Sequence, residues 1–128
     1  MSQSPIFAKT YDLLLWLLPR TTKFPREQRF VLARHVQDIA LRFQEHLIEA
    51  GTLPKNKRTE KLAYLNKADV ELTKLRFHLR LCRDLELLNR GQHRHVSQML
   101  AEIGRLLGGW FKTLDSTSQQ QVIVDLPE

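Results

Sequence analysis

The chain has one cysteine, Cys82, in 128 residues. A single thiol excludes an internal disulfide and a cysteine-based zinc site, and it suits a reducing cytoplasm. Membrane-length hydrophobic runs are missing too. The apolar stretch "LLLWLL" at 13–18 is closed at once by Pro19 and Arg20. Six residues cannot cross a bilayer, which takes about 20, and no secretory leader is expected. Nothing alternates with the two-residue period of a strand. Acidic residues are in short supply: 14 against 20 basic ones, a net charge of +6. Three of the acids, Asp115, Asp125 and Glu128, lie beyond residue 114, so residues 1–114 hold 20 basic and 11 acidic side chains, or +9. A body this basic points to a polyanionic partner, nucleic acid first and an acidic protein surface second.

The composition, 42% apolar and 27% charged, is that of one folded domain. Apolar spacing predicts four helices. The first covers 5–18, with Ser4 as its cap, Pro5 in its first turn and Pro19 as its stop. The second covers 25–50 and stops at Gly51. The third covers 58–89 and the fourth 92–114. The links between them are short, which favours antiparallel neighbours. The expectation is an all-α, up-down-up-down antiparallel four-helix bundle over residues 1–114, followed by a flexible tail over 115–128.

The third helix has two apolar sides. Leu65, Ala68, Leu72, Leu75, Leu79 and Cys82 share one face, the expected core stripe. Phe77, Leu81 and Leu88 fall on the other side of the helical wheel and read as an oligomer interface. Between the two sectors Arg76 and Arg80 stand four residues apart, with Arg83 in the same row. Lys74 and Arg90 extend this basic set. Guanidinium groups suit phosphate, which they bind through paired hydrogen bonds. In the fourth helix, Ala101, Gly104 and Gly108 form a line of small residues beside the core stripe. Each glycine costs a helix about 1 kcal/mol, so the line reads as a groove for close packing. The phosphate-loop pattern is absent: no strand precedes it and no Gly-Lys-Ser/Thr follows.

"KLAYLNKADVELTKLRFHLRL" (61–81) together with "LAEIGRLLGGWFKTL" (100–114) resembles the accessory variability determinant proteins of diversity-generating retroelements. "FPREQRFVLARHVQDIA" (24–40) resembles the wider four-helix-bundle family that includes proteins encoded in 23S rRNA intervening sequences. The resemblance spans about residues 10–114. It implies a bundle that assembles as a ring or barrel-like homopentamer, in the cytoplasm, with no membrane association, cofactor or metal. It implies a non-enzymatic protein that binds the element's reverse transcriptase and RNA and/or DNA, with low sequence specificity, to support mutagenic reverse transcription. By position, Arg76 and Arg80 fall where the family uses basic residues.

Two rivals stand beside this reading. One is a four-helix oligomer of the intervening-sequence type with no reverse transcriptase partner. The other is a helical-bundle ribonuclease of the higher eukaryotes and prokaryotes nucleotide-binding class, which carries an Arg followed after four to six residues by His. "RGQHRH" (Arg90 to His95) and "RFVLARH" (Arg29 to His35) fit that pattern, but with this many arginines and histidines chance supplies roughly as many matches. His93 and His95 are two apart on one helix, and His35, His46 and His78 are scattered, so no set of three or four converging metal ligands is expected. No catalytic residue is assigned.

Overall fold

A computed structural model describes residues 4–125, with side chains for 4–115. Four helices make up the fold: α1 (Pro5–Thr22), α2, α3 (Arg58–Asp84) and α4 (Arg90–Asp125). Helix α2 is continuous through three segments, Arg26–Gln28, a π-helical turn Arg29–Ala33, and Arg34–Thr52. No strand occurs among the described residues. Each helix packs on its chain neighbours and α4 closes back on α1, the antiparallel bundle the spacing predicts. Leu13 and Leu17 of α1, Val36, Ile39, Phe43 and Leu47 of α2, Leu65, Leu72, Leu75 and Leu79 of α3, and Val96, Leu100, Ile103 and Leu107 of α4 are buried together. Burial of each such side chain contributes about 1.5–3 kcal/mol.

The helix ends differ from the sequence expectation, each for a local reason. Pro19 does not stop α1. Its ring lacks the N–H that would pair with Leu15 O, and Leu15 is 59% exposed, so water can take that place. Side chains then supply donors to the last turn: Arg20 Nη1 to Trp16 O at 2.9 Å, Thr21 Oγ1 to Leu17 O at 3.0 Å and Thr22 Oγ1 to Leu18 O at 2.8 Å. Gly51 does not stop α2 either. It stays helical, and the helix ends after Thr52 because Pro54 forces Leu53 into extended backbone (φ −70°, ψ 145°). A Cβ at Gly51 would stand 3.0 Å from Phe7 Cζ, so the missing side chain lets α1 close onto α2.

Helix α3 ends five residues early, at Asp84. Leu87 N donates to Cys82 O (2.8 Å) and Glu86 N to Arg83 O (2.9 Å), with Glu86 left-handed at φ 63°. This is a Schellman closure, with a glutamate where glycine is usual. The reversal overturns the placement of Leu88 on the outer interface: the helical wheel does not extend that far, and Leu88 turns into the core at 2% exposure. Asn89 and Gln92 then cap α4 reciprocally, Gln92 N donating to Asn89 Oδ1 (2.8 Å) and Asn89 N to Gln92 Oε1 (2.9 Å). Helix α4 passes residue 114, where Arg58 Nε donates to Leu114 O (3.1 Å), and continues to Asp125. Residues 126–128 of the expected tail lie outside the described residues. No helix of the described residues is long and apolar enough to cross a membrane.

Candidate nucleic-acid interface

The positive charge is concentrated at one end of the bundle. Antiparallel packing brings the α1–α2 turn and the α3–α4 turn to the same end. Residues 19–38 and 74–97, which build this end, contain eleven Lys and Arg against four Asp and Glu, a net +7. The rest of residues 4–115 holds nine against eight, a net +1. The excess charge that composition assigned to the whole body is therefore a property of one half of it.

At that end two adjoining hollows lie between α3 and α4. The larger, a cleft of about 970 Å³ beside the turn, is lined by Arg83, Arg90, His93, Arg94 and Ser97, with Asp84, Glu86 and the apolar edge of Leu88. The smaller, of about 290 Å³, is lined by Arg76, Arg80, His93, Ser97 and Ala101. His93 and Ser97 belong to both, so the two form one groove running from Asn89 along α4. Arginines of α3 and, nearer the turn, of α4 stand along it, while its floor combines Ser97 and Ala101 with the apolar Leu79 and Leu100. The helical rise of about 1.5 Å per residue sets Arg76 and Arg80 roughly 6 Å apart, comparable to the step between successive phosphates on one strand.

Arg76 lies across the floor of the groove. Its Nη2 donates to Leu100 O at 3.4 Å, and a Cβ built on Gly104 would stand 2.5 Å from that nitrogen. The line of small residues thus seats a guanidinium instead of receiving a neighbouring helix or ring. Only part of it does so. Gly104 is the close approach, Ala101 is exposed on the groove floor, and Gly108 has nothing within 4 Å, which removes it from the packing groove expected there.

The five basic residues singled out in the sequence divide among three places. Arg76 and Arg80 line the smaller hollow, and Arg83 and Arg90 line the cleft. Lys74 does not join them. It points toward α2, where its Nζ lies 3.5 Å from Glu71, a buried carboxylate that also accepts from Arg42 Nε at 3.2 Å. Arg83 is held by Asp84 at 2.9 Å. Among the described residues no salt bridge engages Arg76, Arg80, Arg90 or Arg94, so four guanidiniums face the groove without an acidic partner. Arg94, His93 and Ser97 are additions that sequence reasoning missed. Their signal was present in the four-residue steps Arg90–Arg94 and His93–Ser97, which place each pair on one side of α4. Burial and the nearby Arg83 guanidinium hold the His93 imidazole below its usual pKa, against a smaller opposing pull from Asp84.

The remaining chemistry is quiet. Cys82 is buried, and burial pushes its thiol up to about 11. Among the described residues no three His, Cys, Asp or Glu side chains gather as a metal site. The arginine–histidine pairs of the ribonuclease pattern are engaged elsewhere: His95 leans on Trp16 (ring centroids 5.4 Å), His35 on His78 (4.7 Å), and Arg29 Nε donates to Phe24 O.

Two outer faces are apolar. Phe77 (64% exposed) and Leu81 stand clear of the core on α3, as the wheel places them, and Phe30 and Val31, in the π-turn of α2, are exposed too. On α1 and α2 a second set, Tyr11, Leu15, Leu41 and Ile48, is also exposed. No match was found among curated proteins. A family model described as bAvd-like matches residues 5–114, nearly the whole of the bundle and all of the groove. The four-helix fold and that match agree with the motifs at 61–81 and 100–114, and the chain belongs to the bAvd-like family, as an Avd-type protein.

Proposed function

We propose that this protein is a non-enzymatic accessory protein of a diversity-generating retroelement, binding the element's reverse transcriptase and its template RNA or cDNA during mutagenic reverse transcription. Family membership supports the accessory role. The observation that carries nucleic-acid binding is the α3–α4 groove, with four arginines that lack acidic partners at the end of the bundle holding most of the excess charge. Its contacts suit phosphate oxygens more than base edges, so binding is weakly dependent on sequence. Each phosphate neutralised releases counterions, which makes affinity fall steeply with salt.

The two unlike apolar faces support assembly as a homopentamer. A contact between different faces of one chain is heterologous, and such contacts form a ring when the rotation between subunits closes. In a ring the groove repeats around the assembly and produces a basic band. The test is binding of labelled RNA and DNA strands by wild-type protein and by the double variant Arg76→Ala, Arg80→Ala, at two salt concentrations, with light scattering on both. The variant should keep its assembly state and helicity and lose affinity at low salt. Equal binding by both proteins at both salts refutes the groove as the contact surface, and a 15 kDa species at micromolar concentration refutes the ring.

A further inference from the structure

The groove contains one side chain whose charge changes near neutral pH. Every residue lining its two hollows comes from α3, the α3–α4 turn or α4. The charged groups facing His93 are Arg76, Arg80 and Arg83 of α3, Asp84 and Glu86 at its end, and Arg90 and Arg94 of α4. Histidine is the side-chain type whose charge changes between pH 5 and 8. His93 alone remains, at the junction of the hollows and half-buried, with Nε2 3.5 Å from Ser97 Oγ.

In the free protein the surroundings of His93 oppose its charged form, by burial and by the Arg83 guanidinium. A phosphate in the groove outweighs both effects by its charge. It neutralises the nearby guanidiniums and supplies an anionic acceptor. Protonation then makes both ring nitrogens donors: one faces the Ser97 hydroxyl, which can accept, and the other is available to a phosphate oxygen. We propose that His93 contacts phosphate in this groove and takes up a proton as the polyanion binds, so that binding is proton-linked. The proposal rests on the reading of the groove as a nucleic-acid site, and it adds the residue that couples that site to pH.

The sign follows from the two states. Protonation of His93 lies below its ordinary range in the free protein and moves up in the complex. Affinity is therefore constant at high pH, rises as pH falls through the bound value, and levels off below the free value. One proton taken up gives at most about a tenfold rise in affinity per pH unit.

The experiment uses the full chain and a short labelled oligothymidylate, whose bases do not titrate between pH 5.5 and 8. Anisotropy at constant ionic strength should show wild-type affinity rising toward low pH. His93→Gln should lose the slope, its affinity no longer rising as pH falls. His93→Arg should bind more tightly at pH 8, also without a slope. His95→Gln, outside the groove, should keep the wild-type slope. Calorimetry in two buffers of different ionisation heat should show proton uptake on binding by the wild type and none by His93→Gln. A flat wild-type profile, or a slope that survives His93→Gln, overturns the proposal while Arg76→Ala, Arg80→Ala still weakens binding at pH 8. If that double variant binds like the wild type at every pH, the groove reading itself fails and the proposal fails with it.

Discussion

Gly104 offers a direct perturbation of the groove. Gly104→Ala places a methyl group 2.5 Å from Arg76 Nη2 and 3.8 Å from Leu72 Cδ2. The second contact is ordinary packing. The first cannot persist, but the atom that must move is the far end of an exposed side chain, so displacement is cheap. The change gains about 1 kcal/mol of helix propensity. It loses one hydrogen bond to Leu100 O, which at 3.4 Å is long and contributes at the low end of the usual range of about 0.5–1.5 kcal/mol. Net stability should rise by about 0.5 kcal/mol or stay level, a melting shift of roughly 0–3 °C for a domain of this size. Binding should move the other way. Arg76 leaves its seat and must be ordered anew by the ligand, at about 0.5–1.5 kcal/mol per immobilised side chain, which corresponds to about two- to tenfold weaker affinity for an oligonucleotide at low salt. Gly108→Ala is the control, since a Cβ there meets nothing within 4 Å; it should raise the melting temperature and leave affinity alone. Thermal denaturation and anisotropy on the two variants decide the matter. A Gly104→Ala protein that melts several degrees lower, with Gly108→Ala melting higher, would refute the argument that Arg76 yields. Unchanged affinity would refute the argument that its seat prepares it for phosphate.

Glu86→Gly should stabilise the fold by about 1 kcal/mol, because Glu86 holds φ 63° in the Schellman turn and glycine adopts that conformation without a Cβ penalty; urea denaturation measures it. Leu88→Ala should cost about 2–5 kcal/mol as a core truncation, whereas Phe77→Lys should leave the unfolding of a subunit nearly unchanged and weaken assembly in light scattering. Cys82, with its thiol at about 11, has on the order of one thiolate in a thousand at pH 8, so alkylation of the native protein should be slow and should become fast in denaturant.

The fold was legible because it follows from periodicity. Leu65, Leu72, Leu75 and Leu79 repeat at helical spacing, and short links leave few ways to connect long helices. The errors cluster where a helix ends through tertiary or side-chain chemistry. The α3 terminus shows why. Glycine is the usual marker of a left-handed cap, the only nearby one is Gly91, and the cap is in fact Glu86. Reading the wheel on to residue 89 then carried Leu88 to the wrong side. Lys74 failed for a related reason. Its charge resembles that of Arg76, two residues away, but a two-residue step on a helix turns about 200°, so the two point to opposite flanks and only one meets the groove.

The outer apolar surface follows helical spacing on α2 as well as on α3. Phe77 and Leu81 stand out because α3 is regular between Arg58 and Asp84, so their positions follow from the residues around them. Phe30 and Val31, not singled out in the sequence, lie inside the π-turn Arg29–Ala33, between the short first segment of α2 and the regular helix that begins at Arg34. Counted back from Val36 at about 100° per residue, Phe30 and Val31 fall well over 90° from the core face, whereas Leu32 and Ala33 fall toward it, so helical spacing already points the first two outward. In the structure they are 77% and 69% exposed while Leu32 and Ala33 are buried. Leaving two large apolar side chains in solvent costs an isolated subunit stability. It is explained if that surface is covered in the assembly, together with Phe77 and Leu81 on the flank of α3 away from the groove. The same end of the bundle would then carry both the subunit contact and, on the other side of α3, the arginines, so that closing a ring sets successive grooves side by side.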